Sequence, residues 1–389
     1  MNAGTAPRAA GPAAGRTARW RRPLAAAGLA LATLLAGCAA DKPKPTPLEP
    51  VSPQIGVRSA WQSQLDGVAF PLGVAVAGER FVVAGSGGSV VAFQARDGQA
   101  AWRGDAGAPL TAGVGSDGRF AAVVTRDNEL VVLDQGRRVW STRLASRTTT
   151  APLVAGERVF VLGVDRVVHA FDALDGRRLW ALQRPGEALT LAQPGVIAAH
   201  RNTLIVGLGA VMLGVEPTRG NVRWEVAVTS PRGTNEVERL NDLVGPVLRV
   251  GDTLCARAFQ TAVGCVDAAR PALRWNRIVG GANAIGGDAE LVFGADGADR
   301  ISAWRAGNGE LAWTNERLLY RGLSAPAVLG RSVVFGDVEG QVHFLARDDG
   351  RALLRLATDG SPVVAQPVVA AGTMLVVTRK GGLFAYRAE

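Results

Sequence analysis

The chain has 389 residues, 48% of them hydrophobic but only 6% aromatic, with 49 glycines and a formal charge of +9. Five arginines and no acid fall within residues 1–37, so the rest of the chain carries +4 (9 − 5), too little to argue for a polyanionic partner. No Lys/Arg stripe with interleaved aromatics follows, which excludes a nucleic-acid groove, and the length is sufficient to bury a large core.

Residues 1–37 read as an export signal. Arg8, Arg16, Arg19, Arg21 and Arg22 precede an apolar run from Leu24 to Leu35, which is short of the roughly 20 residues a membrane span needs. The run ends in Leu35-Ala36-Gly37-Cys38, which looks like a bacterial lipobox, so cleavage would leave Cys38 as the lipidated N-terminus. Ala39 follows, and the lack of Asp at that place is similar to lipoproteins passed on to the outer membrane. Residues 38–57, with Pro43, Pro45, Pro47, Pro50 and Pro53, read as an extended, partly stiff tether.

From residue 58 to 389 one unit repeats. Trp61, Trp102, Trp140, Trp180, Trp224, Trp275 and Trp313 lie 38 to 51 residues apart, with Leu354 in the next slot; this is the period of a propeller blade. Four residues before the slot stand Gly98, Gly136, Gly176, Gly220, Pro271, Gly309 and Gly350, several closing an Asx-Gly pair such as Asp97-Gly98 or Asn308-Gly309. Such pairs suit tight hairpins because they accept positive φ. A proline opens an alternating stretch earlier in the unit (Pro152, Pro194, Pro246, Pro326, Pro367), a place a strand tolerates it. The pattern predicts four short strands per unit.

The last repeat stops at Tyr386 without a Trp strand, and Trp61 lacks the three strands that should precede it. The predicted fold is therefore all-β: an eight-bladed β-propeller of four-stranded antiparallel blades, closed by the N-terminal strand, which removes exposed sheet edges.

Two interblade connectors are long. The interval from Trp224 to Trp275 is 51 residues, with its excess in 229–242, and the interval from Trp180 to Trp224 is 44, with its excess around 183–193. Both join the outer strand of one blade to the inner strand of the next and so emerge on one face, where insertions in repeat proteins form binding surfaces. In the unit after the longer insert, a hairpin centred near Gln260 would set Cys255 opposite Cys265, close enough for a disulfide in an oxidising compartment.

Catalytic and metal-binding patterns are absent from the sequence. His169 and His343 occupy the same place in the repeat, eleven residues before the Trp slot, which argues for packing. There is no nucleophile elbow, metal-spaced His pair or phosphate-cradling loop, so no cofactor is expected.

Asp175-Gly176-Arg177-Arg178-Leu179-Trp180 and Asn308-Gly309-Glu310-Leu311-Ala312-Trp313 resemble the tryptophan repeats of quinoprotein dehydrogenases, whose eight-bladed propellers bind pyrroloquinoline quinone (PQQ). Those enzymes are much longer and carry a vicinal Cys-Cys and calcium-binding carboxylates that are missing here. A lipobox followed by a catalytically bare propeller of this type resembles the BamB family, outer-membrane assembly lipoproteins of the BAM complex. The resemblance implies a non-enzymatic scaffold at the outer membrane, its partners being a periplasmic domain of BamA, other BAM components and unfolded β-barrel clients. It assigns BamA contacts to the two connectors: Leu189 and Leu191 in the first, and Glu236, Glu238, Arg239, Leu240 and Asp242 in the second. Ala192 takes the place of a family arginine, and Val244 that of a family acid. The alternatives are a PQQ-dependent dehydrogenase-like enzyme and a generic periplasmic binding propeller.

Overall fold

The computed structural model describes residues 43–184, 189–230, 234–236 and 239–389. Cys38 and Glu238 lie outside the described residues. From Pro45 to Glu389 the chain forms one compact unit.

Eight sheets of four antiparallel strands follow one another. Seven are continuous in sequence: blades 1 to 7 span 75–105, 110–143, 153–183, 197–227, 243–277, 286–315 and 327–357. Blade 8 takes three strands from 368–388 and its outermost from Val57–Gln64, paired antiparallel with Gly382–Ala388 from Val57 opposite Ala388 to Gln64 opposite Gly382. This is the closure that the truncated repeats at the two ends predict.

Within each blade the first strand lines the central channel and the fourth faces outward. The second and third strands are buried almost throughout, as in Phe120–Thr125 and Ala262–Asp267. They are packed on both faces by the neighbouring blades, so they read as continuous apolar runs. Outer strands alternate instead, as in Arg178–Gln183.

The Gly-to-Trp spacing proves to be an interblade contact as well as a hairpin signature. Gly98, Gly176, Gly220, Gly309 and Gly350 all have φ between +69° and +78°. Each lies against the tryptophan of the preceding blade, so that a Cβ on Gly176 would come within 2.6 Å of Trp140 and one on Gly309 within 2.5 Å of Trp275. The ring covers the turn while its Nε1 donates to a carbonyl of the same turn: Trp61 to Ala95 (2.9 Å), Trp140 to Ala173 (2.8 Å), Trp180 to Pro217 (3.0 Å), Trp275 to Ala306 (2.8 Å) and Trp313 to Arg347 (2.8 Å).

Two irregular slots follow from the same contact. Blade 5 has Pro271 where the others have glycine, and Trp224 instead lies over its own blade, where a Cβ on Gly214 would be 2.1 Å from the ring. Leu354 faces blade 8, whose outermost strand arrives from the N-terminus, so no Gly-bearing turn is there to be covered; it packs with Tyr386, Ile55 and Val57.

The segment read as a tether differs from expectation. From Thr46 onward it packs along blades 6 and 7: Thr46 N donates to Leu319 O (3.0 Å), Gln54 N to Leu353 O (2.9 Å), and Leu48 joins the cluster of Leu318 and Leu323. Its prolines favour extended chain, but composition does not decide whether extended chain is solvated. Leu48 and Ile55 supply apolar surface that the ring accepts.

Cys255 and Cys265 are directly opposed on adjacent strands of blade 5 and joined by a disulfide, their Cα atoms 4.0 Å apart. His343 and His169, equivalent in sequence, have different surroundings. His343 is buried with Nε2 3.0 Å from Asp337 Oδ2, whereas His169 is half-buried beside Phe171.

Candidate functional site

Both long connectors leave an outer strand and enter the next inner strand: 184–196 between blades 3 and 4, and 228–242 between blades 4 and 5. They emerge on the ring face that also carries the turns between second and third strands. One of these turns, Gly163-Val164-Asp165-Arg166 in blade 3, organises the site.

Arg166 reaches across both connectors. Its Nη2 donates to Leu189 O at 2.9 Å and lies 3.0 Å from Asp242 Oδ1. The other carboxylate oxygen of Asp242 accepts the amide of Leu191 at 3.2 Å. Thr190 Oγ1 donates to Val164 O at 3.0 Å, and Thr149 Oγ1 to Gln193 O at 2.9 Å. The second connector is anchored at its end by Leu243 N donating to Gly209 O and Gly245 N to Pro194 O (2.8 and 2.9 Å). Three loops of consecutive blades thus share one small cleft lined by Leu162, Thr190, Leu191, Pro194 and Asp242.

The residues singled out from sequence take distinct places here. Leu189 is exposed (38%), and Leu191 and Leu240 are half-buried. Glu236 is exposed; Arg239 is half-buried in a turn whose amide donates to Asn235 O (3.1 Å). Asp242 faces inward to Arg166 and Leu191, so its carboxylate is committed within the protein. Val244 is buried in the inner strand of blade 5. No charge stands at Ala192, but a guanidinium arrives close by from Arg166.

Sequence reading overlooked Arg166. Its signal was present: the same turn position holds Gly88, Asn128, Asp299, Gly340 and Gly381 in other blades, all with positive φ, and Arg166 itself has φ +62°. A long cationic side chain at a slot suited to Gly or Asn is a local misfit.

The central channel opens into a funnel of about 1010 Å³ lined by Val68, Phe70, Leu72, Val74, Gln193 and Asn283 among others. Asp66 at its mouth accepts from Gly87 N and Ser89 Oγ and is consumed by that turn. Among the described residues no three His, Cys, Asp or Glu side chains are grouped to hold a metal ion.

A family model described as outer membrane protein assembly factor BamB matches residues 86–315. A protein of that name from Bordetella pertussis is 36% identical, the alignment covering 95% of this chain and 97% of the relative. Another from Burkholderia pseudomallei is 34% identical over 95% and 98%. Among solved structures, BamB from Moraxella catarrhalis superimposes with a TM-score of 0.77 at 22% identity, covering 85% of this chain and all of that one. Quinohemoprotein alcohol dehydrogenase from Comamonas testosteroni does so with a TM-score of 0.63 at 15% identity, covering 85% and 76%. At those identities the two structures establish the shared propeller and nothing further.

Proposed function

The chain belongs to the BamB family of outer membrane protein assembly factors, and from that membership we propose that it is a lipid-anchored scaffold of the BAM complex on the periplasmic face of the outer membrane. It binds a periplasmic domain of BamA and catalyses nothing. The observation that carries the partner assignment is the joined connector surface: an exposed Leu189 beside a half-buried Leu191, bordered by the turn holding Glu236 and Arg239. Apolar side chains held on a fixed loop and rimmed by polar groups are the usual composition of an anchor for another protein.

The enzyme alternative would need carboxylates gathered around a quinone and a cation in the channel. The funnel presents mainly apolar side chains and backbone, with Asp66 already engaged by the Gly87–Ser89 turn. The donor set therefore does not fit that group.

The test is binding of the mature protein to the isolated periplasmic region of BamA. Leu189→Asp should weaken it by at least about tenfold, since it places a charge in the anchor, with thermal unfolding unchanged because Leu189 lies outside the blade cores. No binding by the unaltered protein, or equal binding by Leu189→Asp, would overturn the assignment. Stoichiometric uptake of PQQ with calcium would favour the enzyme.

A further inference from the structure

We propose that Arg166 is the positioning residue of the docking face: it clasps the two connectors into one surface without itself meeting the partner. This rests on the connector reading above and adds how that surface is held.

The geometry carries the proposal. A single guanidinium nitrogen bonds a carbonyl of the first connector (Leu189 O, 2.9 Å) and the carboxylate of the second (Asp242 Oδ1, 3.0 Å). The remaining oxygen of that carboxylate returns to the first connector at the Leu191 amide (3.2 Å). The resulting ring, Arg166 to Leu189 to Leu191 to Asp242 and back to Arg166, ties the main chain that bears both apolar anchors to the blade 4–5 connector. Arg suits this task because its planar fork bonds several acceptors in fixed directions.

The side chains of Arg166 and Asp242 are only 14% and 17% exposed. A partner laid over the face would meet Leu189 and the outer edge of the turn, with little of the ion pair within reach. Removing water from such a pair strengthens it, so docking would tighten the clasp.

Arg166 is also held at a cost. Its backbone is left-handed at φ +62°, and among the described residues its Nε is buried without an acceptor. A Gly, as at positions 88, 340 and 381 in equivalent turns, would carry neither penalty, but it would not span the connectors.

Arg257 in blade 5 is a purely internal counterpart. Fully buried, it donates to the carbonyls of Val279, Gly280, Asn283 and Ala295 (2.7–3.2 Å) and so fixes the next connector. Burial lowers its pKa to about 10. No carboxylate joins it in a second connector, so it ties one loop to the core, whereas Arg166 ties two loops to each other.

The experiment is a double-mutant cycle on Arg166→Ala and Asp242→Ala, read by affinity for the periplasmic region of BamA and by amide hydrogen exchange of 189–193. Each single variant should lose about tenfold in affinity, and the double variant little more than either, because both act through one clasp. Exchange at the Leu191 amide should accelerate in all three while blade-core amides stay protected. Unchanged affinity in Arg166→Ala, or losses that multiply in the double variant, would overturn the proposal; the second outcome would make Arg166 a direct contact. If the unaltered protein does not bind BamA, the functional reading fails separately. The clasp is then judged by exchange alone, where unaltered protection of Leu191 in Arg166→Ala would refute it.

Discussion

Replacing Gly309 by Ala tests whether the Gly-to-Trp repeat is an interblade contact. A Cβ there would lie 2.5 Å from Trp275 Cε3, below the 3.0 Å that real Cβ atoms keep, so the indole must retreat by roughly 0.5–1 Å. Trp275 is almost fully buried and its Nε1 donates to Ala306 O at 2.8 Å; the retreat lengthens that bond and strands a buried donor, costing about 1–3 kcal/mol. The left-handed φ of +69° adds about 1–2 kcal/mol for any Cβ-bearing residue. The sum is about 2–5 kcal/mol. Gly251→Ala is the matched control: φ is +55° and nothing lies within 4 Å of its Cβ, so only the backbone term of about 1–2 kcal/mol applies. Urea unfolding of both variants, followed by tryptophan fluorescence, should give Gly309→Ala clearly the lower midpoint. Equal midpoints would refute the contact argument and leave the glycines as turn formers only.

Three further outcomes are expected. His343 Nδ1 lies 3.3 Å from Arg355 Nε, which can only donate, so the ring is neutral with its proton on Nε2 toward Asp337. Burial lowers the His343 pKa; burial also pushes the Asp337 carboxyl up, but hydrogen bonds from His343, the Gln341 amide and Arg321 outweigh it and hold it low. Both folded pKa values are depressed, so their stabilisation is complete above about pH 6.5 and is lost on acidification, as the unfolded chain takes up protons first. The urea midpoint should fall between about pH 7 and 5, less steeply in His343→Gln; an identical slope would contradict the argument. Cys255 and Cys265 should resist alkylation until reduced. The double Cys→Ala variant should lose no more than about 2–3 kcal/mol, the entropic limit for a ten-residue separation, since the strand ladder already restrains both residues; two free thiols in the unreduced, unfolded protein would show the bridge does not form. Cys38→Ser should abolish lipid labelling and membrane fractionation, and normal fractionation would end the lipoprotein reading.

The repeat of Trp, Asx-Gly and strand-opening Pro was sufficient to derive eight blades and their closure. Each marks a local constraint that recurs with the unit: positive φ at Gly309, a strand start at Pro326, a docking ring at Trp275. Long spacing located the connectors for a similar reason, since extra residues in a closed ring can only emerge at its faces. Composition could not show that Thr46 to Gln54 lies against blades 6 and 7, because extended chain looks the same whether solvated or packed. Nor could it show why Leu354 and Pro271 break the pattern, since the partner of each slot belongs to a neighbouring blade. The site shows the same division. Leu189 and Leu191 were legible as apolar residues outside the strand pattern, but Asp242 turned inward, and its partner Arg166 comes from a turn 76 residues earlier (242 − 166). Only the stacking of blade against blade brings that turn over both connectors, so the clasp belongs to the tertiary structure.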